Sequence, residues 1–97
     1  MYGTVARIRP KAGRQAEILS YVADWNSVRK PNLPGCVAAY LLTPDDPAND
    51  AQIIALFADK DAYVANANDP EQDRWYRRLR DLLDSDPIWQ DGEIRDS

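Results

Sequence analysis

From Tyr2 to Arg9 apolar and polar positions alternate around Val5, Ala6 and Ile8, and Pro10 stops the run, which predicts a first strand. Lys11-Ala12-Gly13 reads as a short turn. From Arg14 the period becomes helical. Ile18, Val22, Trp25 and Val28 share one face, Leu19 and Tyr21 widen it, Arg29-Lys30 suit a helix C-terminus, and Pro31 ends the segment. Pro34-Gly35 then makes a turn, and Cys36 to Thr43 is a continuous apolar and aromatic run, the mark of a strand buried on both faces, or on one face against a partner chain. Pro44 to Asp50 is dense in turn formers, and Ala51 to Ala58 gives a third strand with Ile53, Ile54, Leu56 and Phe57 on both faces. Asp59 suits the N-cap of a short helix from Lys60 to about Asn68. Asp69-Pro70 opens a second helix, with Trp75, Leu79, Leu82 and Leu83 as its buried stripe. Beyond Pro87, Ile88 to Arg95 predicts a weaker fourth strand, interrupted by Asp91-Gly92.

The order strand, helix, strand, strand, helix in two pieces, strand is βαββαβ. It predicts an α+β fold of ferredoxin-like type, a four-stranded antiparallel sheet with helices on one face, formed by residues 1–97 as a single domain. Helices on one side cover only one face, yet the second and third strands are apolar on both. The open face therefore needs a cover, and a second copy of the chain packed sheet to sheet supplies it.

Composition narrows the chemistry. At 97 residues the chain has room for one core. The longest apolar runs, Val37–Leu42 and Ile53–Ala58, are too short to span a bilayer, and Met1 to Val5 lead straight into strand-like residues rather than a signal peptide. The single cysteine, Cys36, fits a reducing cytoplasm and has no basic neighbour that would make a reactive thiolate. The chain contains no histidine, which removes His-dependent catalysis and any site that needs imidazole. The net charge of −4 is uneven, +4 over residues 1–44 and −8 over residues 45–97, which argues against nucleic-acid and anionic-membrane partners. Arg74, Arg77, Arg78 and Arg80 stand three or four residues from acidic partners, the pattern of a solvated helix face laced with ion pairs.

Three segments carry a family likeness: Lys11-Ala12-Gly13 before the first helix, Leu33-Pro34-Gly35 before the second strand, and Phe57 to Tyr63 after the third. Together they resemble the antibiotic-biosynthesis-monooxygenase domain of the dimeric α/β-barrel superfamily, over Tyr2 to Arg95. The resemblance implies a dimeric barrel and a ligand pocket between helices and sheet in each subunit. Members of the superfamily include cofactor-free monooxygenases that oxidise anthrone-like polyphenols to quinones, haem-degrading enzymes, and isomerases. In the anthrone-oxidising members an Asn, a Trp four residues later and a Tyr six further on carry the site; the same register here gives Ile53, Phe57 and Tyr63, so only the tyrosine is kept. Haem-degrading members use a first-strand Asn, near whose position this chain has Arg7, and an axial His that it lacks.

The candidate catalytic residues are Tyr63, Arg7 and Asn66, and the candidate substrate-binding residues are Phe57, Trp75 and Ile53. Tyr63 is a hydrogen-bond donor to a substrate oxygen, or a helix tyrosine packed on the sheet. Arg7 binds an anionic oxygen, or is a solvated strand end. Asn66, with Asn68, shapes a pocket mouth or caps a helix. Trp75 and Trp25 are core aromatics or the floor of a planar-ligand pocket. The expected activity is cofactor-independent monooxygenation of a small aromatic or polyphenolic metabolite, with no metal. With no His, an Asp, a water or the substrate's own acidity must serve as base. The alternative is a non-catalytic homodimer of the same fold that binds a small molecule or a protein.

Overall fold

The computed structural model describes residues 1–96. Strands β1 (Tyr2–Ile8), β2 (Cys36–Leu42), β3 (Ala51–Phe57) and β4 (Ile88–Glu93) form one sheet in the order β2-β3-β1-β4, with every neighbouring pair antiparallel. The helices α1 (Gln15–Asp24), α2 (Lys60–Ala67) and α3 (Pro70–Arg80) complete the βαββαβ order, with the second helical region in two pieces. Asp59 caps α2 by accepting from the Ala62 N–H at 2.8 Å, and Asp69 caps α3 by accepting from the Glu71 N–H at 3.0 Å. These two aspartates let the chain end one helix and start the next at a new angle.

Register decides which residues meet the helices. Thr4 lies opposite both Ala55 and Asp91, Ala6 opposite both Ile53 and Trp89, and Ala39 opposite Ala55. Directly paired residues share a face, so these, with Ile8 and Phe57, form the helix-facing side. Phe57, Ile8, Ile18 and Leu83 are the largest fully buried side chains, each contributing about 1.5–3 kcal/mol by leaving water. The other side carries Val5, Tyr40, Leu42, Ile54, Leu56 and Ile88. Tyr40, Leu42 and Ile88 are about half exposed in the single chain, which is the uncovered apolar face expected from the sequence.

The first helix departs from its predicted form. After Asp24 it widens into a π-helical turn, Trp25–Arg29, and then tightens into a 3-10 turn, Lys30–Asn32, that absorbs Pro31. The wide turn rotates the following residues relative to an α-helix. Val28, expected on the buried stripe, is 57% exposed, and Arg29 is buried in its place at 6%. Leu19 also faces outward, whereas Ile18, Tyr21, Val22 and Trp25 are buried as expected.

β2 is an edge strand, and Asn26 from the π turn closes part of that edge. Its side-chain amide donates to the Ala39 carbonyl and accepts from the Ala39 N–H, both at 2.9 Å, as a neighbouring strand would. No described helix is long and apolar enough to cross a membrane.

Candidate functional site

The sheet offers small side chains, Thr4, Ala39 and Ala55, where the helices above carry large ones, Tyr21, Trp25, Tyr63, Tyr76 and Leu79. Large residues hold the helices off a floor of small ones, and a cavity of about 460 Å³ remains between them. That size suits a small organic ligand. Phe57 and Ile53 extend its floor, and Trp89 and Asp91 from β4 complete its wall with Asn66, Gln72 and Asp73. Tyr76 and Trp89 face each other with ring centroids 6.3 Å apart.

Tyr63 is the best-determined polar group in this cavity. Its ring lies between Tyr2 (centroids 5.2 Å apart) and Phe57 (5.5 Å, edge to face), which fixes its rotamer. Its hydroxyl donates to Asp91 Oδ1 at 3.0 Å. Burial first, and then the Asp91 carboxylate, push the phenol up to about 12 against a smaller opposing contribution from Thr4. At neutral pH Tyr63 is therefore a proton donor and never a phenolate base. Asp91, its acceptor, is one of two carboxylates on the cavity wall, with Asp73.

A second polar cluster lies one turn further along α2. Asn66 is 7% exposed, and its Oδ1 accepts from Arg29 Nη2 at 3.0 Å. The same nitrogen donates to Asp69 Oδ2 at 3.0 Å. The Glu71 N–H and this guanidinium together hold the Asp69 carboxyl below its ordinary range. Arg29 Nε and Gln72 Oε1 are buried with no partner among the described residues. Asn66 also borders a second, shallower groove under Leu33-Pro34-Gly35, lined by Asp59 and Ala62.

Of the residues singled out from sequence, Ile53, Phe57, Tyr63 and Asn66 meet around the one cavity, together with Trp25. Arg7 does not join them. Strand alternation puts it on the open face with Val5, opposite Gln52 and Ile88. Trp75 also points elsewhere. It packs edge to face on Tyr21 at 6.0 Å under the Arg78 guanidinium, and its neighbour Tyr76 turns into the cavity instead. Asn68 is exposed at the end of α2. Burial pushes the Cys36 thiol up, against Lys30 and Arg29, so it stays protonated. Arg74 and Arg77 pair with Glu71 and Asp73 on the solvated face of α3, whereas Arg78 and Arg80 reach Asp24 and Asp86.

Sequence reasoning passes over Thr4, Tyr76, Trp89 and Asp91. For the β4 pair the signal is present, since Trp89 and Asp91 are two apart and so share a face. The Asp91-Gly92 pair reads as a break only until β1 supplies the register. Among the described residues no group of three or more His, Cys, Asp or Glu is arranged to hold a metal ion.

No curated protein matches the chain in sequence. Solved structures do. SnoaB, a cofactor-independent oxygenase from Streptomyces nogalater, superposes with a TM-score of 0.78 at 26% identity, over 99% of this chain and 94% of that one. An asparagine-to-alanine variant of SnoaB gives 0.81 at 24% identity over the same shares. A Mycobacterium tuberculosis protein gives 0.77 at 12% identity over 99% of this chain and 96% of its own, a likeness of fold alone. The sequence model of the antibiotic biosynthesis monooxygenases matches residues 1–78, from β1 into α3, which takes in the cavity floor, α2 with Tyr63 and Asn66, and the Leu33-Pro34-Gly35 loop. The chain therefore belongs to the antibiotic biosynthesis monooxygenase family.

Proposed function

We propose that the protein is a cofactor-independent monooxygenase of a small aromatic or polyphenolic metabolite, acting as a homodimer joined through the open sheet face. The observation that carries this reading is the Tyr63–Asp91 pair, a retained proton donor and a carboxylate side by side in a cavity walled by aromatic rings. Family membership and the fold shared with SnoaB support it.

The chemistry asks little of the protein. Asp91 takes a proton from an acidic C–H or O–H of the ligand, and the resulting carbanion or phenolate passes an electron to dioxygen. The ligand radical and superoxide recombine to a peroxide anion at the carbon, and Asp91 returns its proton to give the hydroperoxide. Loss of water then breaks the O–O bond, leaving one oxygen as the new carbonyl and releasing the other as water. Once Asp91 holds the ligand's proton, the Tyr63 O–H is free to donate to the ligand oxygen on which charge develops, and the aromatic walls orient the ring. Phe57 and Ile53 contribute shape only.

Those two apolar residues also favour a second reading. They stand where the anthrone-oxidising members carry Trp and Asn, so the same cavity would bind an aromatic metabolite without oxidising it.

Oxygen consumption by chelator-treated protein, measured on a panel of anthrones and naphthols, separates the two. The monooxygenase reading expects protein-dependent uptake that falls at least tenfold in Tyr63→Phe and in Asp91→Asn. Quenching of Trp25 and Trp89 fluorescence by the panel with no uptake would replace it by the binding reading.

A further inference from the structure

The buried Arg29 is not used by the chemistry above, yet the π turn that buries it is the largest departure of this chain from a regular helix. Its Nη2 holds Asn66 Oδ1 at 3.0 Å. An amide has its oxygen and nitrogen on opposite branches of one plane, so a guanidinium that keeps Oδ1 turns Nδ2 the other way. Asn66 lines the cavity as well as the groove under Leu33-Pro34-Gly35, and with Oδ1 held by Arg29 the amide's remaining polar group is the Nδ2 donor. A hydrogen bond accepted from a cation also polarises the amide and strengthens that donor. We infer that Arg29 is a positioning residue that makes the Asn66 amide a charge-backed donor to an anionic oxygen, so that the cavity takes aromatic hydroxyl compounds as their phenolates. This inference rests on the proposed reading of the cavity as a site for a small aromatic ligand.

The neighbouring charges favour this outcome at the Asn66 end. Asp69 pairs with the same guanidinium, but its side chain is 36% exposed whereas that of Arg29 is 7% exposed. Water reaches the carboxylate more than the guanidinium, so the carboxylate offsets the buried charge only in part. The second Asp69 oxygen is occupied by the Glu71 N–H. Lys30, like Arg29, acts on the Cys36 thiol. Asp59 faces the groove on the other side of Asn66. Opposition comes from Asp73 and Asp91 on the cavity wall. Asp73 is paired with Arg77 at 2.7 Å, and Asp91 is occupied by the Tyr63 hydroxyl at 3.0 Å. A phenol that enters thus gives up its O–H proton and keeps its charged oxygen at Asn66.

The probe that tests this is 4-nitro-1-naphthol, whose phenolate is coloured and whose ionisation is read from absorbance while it is bound. Binding is followed separately through tryptophan fluorescence. On the wild-type protein the probe's ionisation constant is expected to rise about tenfold over its value in water. Asn66→Leu, of similar size and without a donor, should remove most of that gain while the probe still binds. Asn66→Asp should reverse it by setting a carboxylate beside the ligand oxygen. Arg29→Met should act like Asn66→Leu, and if that variant does not fold, the two Asn66 variants decide, because both leave the guanidinium in place. A tenfold gain that survives Asn66→Leu, or a bound probe on wild type with unshifted or weakened ionisation, would overturn the inference and leave the aromatic cavity standing. Failure of the probe to quench the wild-type tryptophans would instead overturn the aromatic-ligand reading itself.

Discussion

Gly35 ends the Leu33-Pro34-Gly35 turn with φ at +77°, and its carbonyl accepts from the Ala58 N–H at 2.7 Å, just before the Asp59 cap of α2. The turn therefore sets where α2, with Tyr63 and Asn66, sits on the sheet. A Cβ at position 35 would meet the Ala62 Cβ at 2.7 Å, a distance at which one backbone must move. Gly13 has nearly the same φ, +79°, with nothing within 4 Å of its ideal Cβ. Gly13→Ala should cost only the left-handed conformation, about 1–2 kcal/mol. Gly35→Ala should add an overpacking cost of about 1–3 kcal/mol. For a domain of this size the two variants should then melt roughly 5–20 °C apart, with Gly35→Ala lower. Thermal unfolding followed by circular dichroism measures this directly. Equal melting temperatures would show that α2 is not held by this contact.

Tyr21 and Tyr63 both have phenols pushed up to about 12, Tyr21 by burial against the opposing Arg78 charge. Each is protonated in the folded chain at pH values where the unfolded chain ionises, so their contribution to stability is intact below about pH 10 and lost as the pH rises towards 12. In an absorbance titration Tyr63→Phe should delete a late phenolate step, and deletion of a step near the ordinary value would contradict the geometry. Asn26→Leu should cost about 1–3 kcal/mol by stripping both partners from Ala39, and should raise light scattering on heating as the β2 edge opens. Retention of both melting temperature and solubility would refute the edge-closing role. Sedimentation equilibrium should give twice the chain mass of 11.0 kDa, and Ile54→Asp, on the open face, should return it to the monomer. A monomeric wild type would remove the dimer from the proposed function.

Much of the candidate site was legible along the chain because it lies on strongly patterned elements. Ile53, Phe57 and Tyr63 are singled out by the register of the family likeness, and the Asp59 cap that starts α2 sets Tyr63 and Asn66 one helical turn apart. Arg7 illustrates what alternation alone leaves open. It correctly groups Arg7 with Val5, but which face of β1 the helices cover is settled only when α1, α2 and α3 pack on Ala6 and Ile8. Trp75 and Tyr76 are adjacent aromatics on α3, and about 100° of helix rotation separates the core from the cavity wall.

Read alone, the amino-acid sequence determined the element order, the antiparallel sheet, the two aspartate caps and the apolar residues on both faces of the second and third strands. These depend on local periodicity and capping chemistry, which short stretches of chain carry by themselves. Tertiary structure alone decided that Arg29 rather than Val28 is buried, since the π turn is an adjustment of α1 to its neighbours that no residue in Trp25–Arg29 announces. It alone also brought Asp91 to Tyr63, across 28 positions, because that pairing requires β4 to register against β1 and α2 to pack above them both.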